Sequence, residues 1–209
     1  IVYTGNNNHP PVAVAEAAME RVAYNCELIA QRLADRGYAF SVYCDANDDG
    51  GEQPPIVAFN PVGAEALHQL TSMVGALPIT LVAFWKRVGG VAFTGTHPDF
   101  PGMLDPLVVY PAEVILEEFA DLECEEDGRF HVALSPDDYH KDNVSGGMPY
   151  SVALPRSGFD FRLLYEARDA DFIDYLRDVI LSRGGFGALD PRSHIGVPVA
   201  ELTAELLPF

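Results

Sequence analysis

The sequence predicts an α+β protein with a mainly antiparallel sheet and helices packed on it. Apolar residues make up 48% of the 209 residues, which is enough for a hydrophobic core. The predicted elements run in the order helix, hairpin, two or three helices, several strands and a final helix. Strands that do not alternate regularly with crossover helices argue against a doubly wound parallel sheet. Glycine and proline are dispersed and no linker divides the chain, so we expect a single domain over residues 1–209.

Apolar residues at helical spacing predict a first helix over residues 12–36, which Gly37 would end in a left-handed conformation. Alternation over residues 38–44 predicts a half-buried strand, and the apolar run 56–59 predicts the strand that returns beside it. Together these segments form a predicted N-terminal helix–hairpin unit, residues 1–63.

Two further helices are predicted from the residues at their ends. Asn60 followed by Pro61 is typical of a helix start, and Gly75 marks the end of that helix. The next helix opens at Leu77-Pro78 and ends at Gly89. Its apolar positions follow the i, i+3, i+4, i+7 pattern of a buried helical face, at Leu81, Phe84, Trp85 and Val88.

The second half of the chain is predicted to be rich in short strands. Five segments have strand-like length or alternation, namely 90–94, 107–110, 130–134, 150–154 and 161–165. Pro111 begins a helix through about residue 120. Asp169 or Asp171 begins the last long helix, which a Gly-Gly pair ends at 184–185. We expect an irregular tail over residues 186–209 with a short turn at 199–207.

The net charge of −18, from thirty-one acidic and thirteen basic residues, excludes some classes of partner. Nucleic-acid binding needs a basic stripe, and an anionic membrane would repel this chain. A basic protein would be attracted, because long-range electrostatic attraction speeds encounter. The alternative is that the charge serves solubility alone.

Three cysteines, Cys26, Cys44 and Cys124, are far apart and odd in number, which favours buried thiols in a reducing compartment. No CxxC or Cys/His spacing typical of a metal site occurs, so we predict neither a metal nor a cofactor. The first residues do not read as a signal peptide, and the longest apolar runs are far shorter than a membrane span. We therefore expect a cytoplasmic protein.

The segment D-A-N-D-D-G, residues 45–50, matches the first half of a calcium-binding loop. The twelfth position of that loop is Ile56, where a bidentate glutamate would be required. A hairpin turn rich in Asp, Asn and Gly explains the same residues, and we favour that interpretation.

The stretch D-D-Y-H-K-D-N-V-S-G-G-M-P-Y, residues 137–150, is the strongest candidate for a functional loop. It joins two predicted strands through about fifteen residues. Most hairpin loops have about two to five residues, so the length indicates a function or a small helical turn. A hydrolytic or metal site would use Asp137, Asp138, His140 and Ser145. However, Ser145 lacks the G-x-S-x-G context of a nucleophile elbow, and adjacent carboxylates do not define a ligand set.

A local explanation of the same stretch is also open. An aspartate would cap a turn, Asn143 and the Gly-Gly pair would supply left-handed backbone, and His140 and Lys141 would be solvated. We interpret the stretch as a structured polar loop and a docking edge rather than an active site. Its candidate partner-binding residues are Asp137, Asp138, His140 and Lys141.

An acidic segment, residues 123–127, follows Glu117 and Glu118 and is the most evident place for a cationic partner. The alternative is an ordinary solvated face. Its candidate partner-binding residues are Glu123, Glu125, Glu126 and Asp127.

The segment G-A-L-P-I-T-L-V-A-F-W-K-R-V-G-G-V-A-F-T-G, residues 75–95, resembles the signature of the SUKH superfamily. That group includes fungal cell-wall-synthesis regulators and many bacterial immunity proteins. Its pattern of Leu-Pro, an apolar helix and a Gly pair is matched by Leu77, Pro78, Leu81, Phe84, Trp85, Gly89 and Gly90. The 137–150 stretch and F-I-D-Y-L-R-D-V-I-L-S-R-G-G-F-G also resemble a bacterial subgroup with this domain. The resemblance spans residues 64–189 and leaves the tail, 190–209, outside.

The resemblance implies an α+β domain that binds other proteins and has no shared catalytic set, so it supplies no catalytic residue. Bacterial members are often immunity proteins that neutralise secreted toxins, many of them nucleases. An acidic surface suits the basic active site of such a toxin. We therefore expect a basic toxin as the partner. The alternatives are an enzyme that uses the 137–150 loop and a scaffold that binds a host protein.

Overall fold

The computed structural model describes residues 10–40, 54–119, 122–189 and 196–209, and it shows an α+β fold with antiparallel sheets. Helix α1 (Pro10–Asp35) is long, and its buried face carries apolar residues that predicted it, among them Val22, Ile29 and Leu33. Gly37 follows with a φ of 83°, as predicted for a left-handed helix end.

Helix α2 (Pro61–Val74) begins where its capping residues predict. The side-chain oxygen of Asn60 accepts hydrogen bonds from the backbone N–H groups of Val62 at 2.8 Å and Gly63 at 3.1 Å. Gly75 ends the helix with a φ of 80°. Helices α3 (Ile79–Arg87) and α4 (Ala112–Phe119) follow. Helix α3 packs against α1, and α4 packs against α2.

The Leu-Pro…Gly-Gly segment has the structural roles that the sequence predicts. Its buried positions are at most 3% exposed, at Leu81, Phe84, Trp85 and Val88. Pro78 is buried directly before α3, and Leu77 packs against the core. A Cβ atom on Gly89 would lie 2.0 Å from the carbonyl oxygen of Val57, and one on Gly90 would lie 2.8 Å from Pro111 Cδ. Only glycine lets the chain pass this closely to its neighbours.

Within the described ranges, the strands form three small antiparallel sheets. One sheet pairs β1 (Ala39–Phe40) with β4 (Gly95–Thr96). The second has the order β2–β3–β5, from the segments Ile56–Val57, Gly90–Ala92 and Val108–Val109, with Val91 opposite both Ile56 and Val109. The third pairs β6 (Phe130–Ser135) with β7 (Tyr150–Leu154), with Val132 opposite Val152 and an irregularity before Ser135.

The predicted N-terminal hairpin is wrong for the described residues, because β1 and β2 pair with other strands and not with each other. Gly95 makes the β1–β4 pairing possible, since a Cβ atom there would lie 2.4 Å from the carbonyl oxygen of Ala39. The close approach at Gly89 likewise brings β3 beside β2. Glycines distant in sequence therefore select the partners of these two strands.

In the described part of the chain, the predicted strand over residues 161–165 forms two isolated bridges, Ser151 to Leu164 and Arg162 to Asp171. Tyr165 has a φ of 65° and Asp169 a φ of 54°, so the backbone turns back on itself here. This turn interrupts the extended conformation that a continuous strand needs.

The last long helix starts at Phe172, directly after Asp171 and within the predicted range. Helix α5 (Phe172–Arg177) continues as one wide turn, Asp178–Ser182, before Gly184 and Gly185 stop it with positive φ values. In the tail, helix α6 (Val199–Leu202) is shorter than the predicted turn. Asn25 of α1 binds the tail through two hydrogen bonds with the backbone of Leu207, each 2.8 Å.

Some predictions fall outside the described residues, namely the calcium-like segment 45–50 and Cys44. Of the other two cysteines, Cys26 is buried as expected and Cys124 is exposed. Among the helices of the described ranges, none has the length and apolar character needed to cross a membrane.

Candidate functional site

The 137–150 loop, which connects β6 to β7, contains a short helical turn and not extended chain. Residues His140–Asp142 form one 3-10 turn, and the N–H of Asn143 donates to the carbonyl oxygen of His140 at 3.1 Å. Asn143 has a φ of 58°, and Gly146 and Gly147 also have positive φ values. The predicted left-handed positions are thus confirmed, and turn chemistry explains much of this loop.

Asp137 is the internal anchor of the loop and is only 3% exposed. Its Oδ1 accepts hydrogen bonds from the backbone N–H groups of Tyr139 at 2.9 Å and His140 at 3.1 Å, and its Oδ2 contacts Nδ1 of His140. Gly147 lies against the same carboxylate, since a Cβ atom there would be 2.5 Å from Asp137 Cγ. The carboxylate therefore ties both halves of the loop together.

The same contacts decide the protonation of Asp137. Burial by itself would raise the pKa of this carboxyl, because a charge is poorly solvated in the interior. The hydrogen bonds and positive charge offered by His140, together with the Tyr139 N–H, outweigh burial and lower the pKa below its ordinary value. The anionic form of Asp137 is thus favoured by the fold.

Lys141 corrects the prediction that this side chain is solvated. Its side chain is 0% exposed, and its Nζ donates to Oδ1 of Asp105 at 2.6 Å. The ammonium also lies 4.4 Å from the centre of the Tyr150 ring, a cation–π contact. Burial lowers the pKa of Lys141, while the Asp105 carboxylate opposes that shift.

Burial also changes the set of candidate partner-binding residues in the loop. Asp137 and Lys141 face the interior, so both position the loop and neither presents its charge to a partner. Asp138 and the His140 ring remain accessible, the latter 43% exposed. This carboxylate and this ammonium can be buried because each is paired with a group inside the fold.

Asp105 is the functional residue that the sequence analysis missed. It is 4% exposed and has a φ of 49°, which an aspartate tolerates better than most residues. The backbone of Gly187 runs directly beside it, since a Cβ atom there would lie 2.3 Å from Asp105 Oδ2. The available signal was one acidic residue inside the apolar run M-L-D-P-L-V-V, residues 103–109.

A second group of charged side chains lies close to the Asp105–Lys141 pair, since Asp105 and Arg168 both lie beside Gly187. Glu166, which is 6% exposed, forms an ion pair with Arg168 at 2.6 Å. Arg168 forms a second ion pair with Asp178 at 3.1 Å. The Arg168 guanidinium lies 5.6 Å from the ring centre of Tyr175. The Tyr175 hydroxyl is buried and has no hydrogen-bond partner within the described ranges. Arg168 therefore links Glu166 to Asp178, in the wide turn that follows α5.

The residues of the enzyme hypothesis are only partly brought together. Asp137 and His140 are in direct contact, whereas Asp138 accepts from the Tyr139 N–H at 3.1 Å and Ser145 is exposed. Within the described ranges, no three His, Cys, Asp or Glu side chains are arranged to hold a metal ion. The one pair that forms, Asp137–His140, serves the loop structure in the contacts described above.

The acidic segment forms an exposed turn between α4 and β6. The N–H of Glu125 donates to the carbonyl oxygen of Arg129 at 2.8 Å, and that of Gly128 donates to Glu125 at 2.9 Å. Among the described residues, six exposed carboxylates line this acidic surface, at Glu117, Glu118, Glu123, Glu125, Glu126 and Asp127. The nearby cation is Arg129, which pairs with Asp127 at 3.0 Å. The surface is therefore strongly negative.

Comparisons with protein-family models, with curated proteins and with solved structures each find no match to this chain.

Proposed function

We propose that this chain is a cytoplasmic, non-enzymatic protein-binding module whose acidic surface receives a basic protein. The observation that carries the proposal is the group of exposed carboxylates on α4 and the following turn, with Arg129 as the neighbouring cation. The sequence resemblance to SUKH domains supports a secreted toxin as the partner, which makes the chain a bacterial immunity protein.

The charge distribution is suited to this role. A group of exposed carboxylates attracts a basic partner over one Debye length, which is roughly 8–10 Å at moderate salt. Such attraction raises the association rate and selects against acidic partners. A nuclease toxin fits well, because its active site must be basic to bind phosphates, and bound carboxylates would occupy that site.

The test is capture of partners from native lysate at low and at high salt, followed by identification by mass. We expect one basic protein that is retained at low salt and lost at high salt. The triple variant Glu123→Gln, Glu125→Gln, Glu126→Gln should weaken binding of that protein by about tenfold or more, as expected when several charges leave an interface. A control with the same change of charge is Glu27→Gln, Glu65→Gln, Asp99→Asn, which alters exposed residues elsewhere.

Three outcomes would contradict the proposal in different ways. Equal weakening by both triple variants would show that net charge acts without a defined surface. Tight binding of a neutral protein at high salt would remove the electrostatic argument. A captured host protein, in place of a toxin, would make the chain a scaffold.

A further inference from the structure

A second surface lies on the 137–150 loop, and its character is apolar as well as acidic. Three large apolar side chains are exposed within ten residues of chain, namely Tyr139 at 46%, Val144 at 44% and Met148 at 57%. The N–H of Val144 donates to the carbonyl oxygen of Tyr139 at 2.9 Å, so these two positions are neighbours. Exposed apolar side chains in a group are a mark of interaction surfaces.

The loop that carries these side chains is held rigidly from inside. Asp137 binds the backbone at Tyr139 and His140 and supports Gly147, directly before Met148. Lys141 is fixed to Asp105 in the interior. A preorganised loop loses little conformational entropy on binding, and aromatic and methionine side chains are enriched at interfaces.

Apart from the His140 ring, which contacts Asp137, the accessible charged side chains beside these apolar residues are acidic. Asp138 and Asp142 are accessible to solvent, and no cation of the described residues lies within ion-pair distance of either carboxylate. Gly102 lies beside Asp142, with a distance of 3.3 Å from its would-be Cβ atom to Oδ2, and the next residue, Met103, is 37% exposed. Acidic and apolar groups together complement a chain that is both basic and apolar.

We propose that Tyr139, Val144 and Met148 form the apolar anchor of a docking surface for a basic, apolar segment of a partner protein. The basic character of that partner rests on the proposed function. The anchor is distinct from the acidic surface on α4 and the turn after it, which attracts a partner by charge. Tyr139 offers an aromatic face to an arginine or lysine of the partner, and Met148 adapts to its apolar side chains.

The test uses two defined peptides as probes, one alternating arginine with leucine and one of equal charge in which serine replaces leucine. Binding is measured by fluorescence anisotropy. We expect tighter binding of the leucine peptide, and a loss of at least about fivefold in its affinity in Met148→Ser and in Tyr139→Ser, as is common when an interface anchor is truncated.

The controls are Met73→Ser and Tyr24→Ser, which change side chains of matching exposure, 53% and 47%, on other elements. They should leave the affinity unchanged. Equal effects in loop and control variants, or no binding of the leucine peptide, would overturn the inference. If only the triple glutamine variant at Glu123, Glu125 and Glu126 weakens both peptides, the acidic surface binds alone. That outcome would overturn the inference and leave the proposed function standing. If the protein dimerises in sedimentation experiments and Met148→Ser abolishes the dimer, the surface binds a second copy of this chain. That outcome would also overturn the inference.

Discussion

The ammonium of Lys141 and the carboxylate of Asp105 meet at 2.6 Å in the interior, with side chains that are 0% and 5% exposed. The pair joins the 137–150 loop to the segment before β5, across thirty-six residues of chain. It holds in place the loop that presents Tyr139 and Met148. The stability of this loop therefore depends on two charges that solvent does not reach.

Replacement of Lys141 by methionine should strongly destabilise the protein. The variant Lys141→Met leaves the Asp105 carboxylate buried without its partner, which typically costs about 3–5 kcal/mol. Urea denaturation should show this loss in the free energy of unfolding. The double variant with Asp105→Asn should be much less destabilised than the sum of the single changes, because the pair is lost together. Simple additivity would contradict a direct coupling.

The lowered pKa of Asp137 predicts a specific loss of stability in acid. Since its folded pKa lies below the ordinary value of 3.8, the ionised side chain stabilises the fold above that pH. This contribution disappears as pH falls from about 4 through the folded pKa. The free energy of unfolding of the native protein, minus that of Asp137→Asn, should shrink as the pH falls below about 4. A difference that is independent of pH would contradict the hydrogen-bonded anion.

Alanine at Gly89 should be far more damaging than alanine at Gly37. Both glycines have nearly the same positive φ, 88° and 83°, so the backbone cost is similar, about 1–2 kcal/mol. A Cβ atom at Gly37 meets nothing within 4 Å, whereas one at Gly89 meets the Val57 carbonyl oxygen at 2.0 Å. Thermal and urea unfolding should separate the two variants by at least about 2 kcal/mol, the range expected for overpacking. Equal losses of stability would show that glycine is required at position 89 for its positive φ and not for the close contact with Val57.

Loss of Asn25 should release the C-terminal segment from α1. The variant Asn25→Leu removes both hydrogen bonds to the Leu207 backbone at a site that is 0% exposed, at a cost of about 1–3 kcal/mol. Hydrogen exchange at the Leu207 amide should accelerate. Gln31→Leu, on the exposed part of the same helix, is the control and should change stability by less than about 0.5 kcal/mol. Unchanged exchange in Asn25→Leu would contradict the anchoring role.

Local sequence was sufficient wherever a structure depends on neighbours in the chain. The start of α2 at Asn60-Pro61 and its end at Gly75 follow from capping chemistry. The buried face of α3 follows from apolar spacing, and the left-handed Asn143 follows from turn chemistry. The α+β class with antiparallel sheets was predictable from the order of these elements.

Strand pairing was not predictable in the same way. Alternation suggested that the segments at Phe40 and Ile56 would pair, because nearby strands often form hairpins. Instead, glycines at 89 and 95 admit close backbone approaches that bring β3 and β4 beside them. Such approaches depend on the whole packing arrangement, so a glycine in or beside a strand does not show which strand will pair with it.

Residue types and their spacing were enough to predict the helices, their caps, the strongly acidic character and the position of the polar 137–150 loop. Which charges of that loop face solvent depends on contacts between distant segments of the folded chain. Lys141 looks like any solvated lysine in sequence, because its partner, Asp105, lies in a distant apolar run. Burial of a charge requires a partner in space and not in sequence, and that partner is supplied only when the chain has folded.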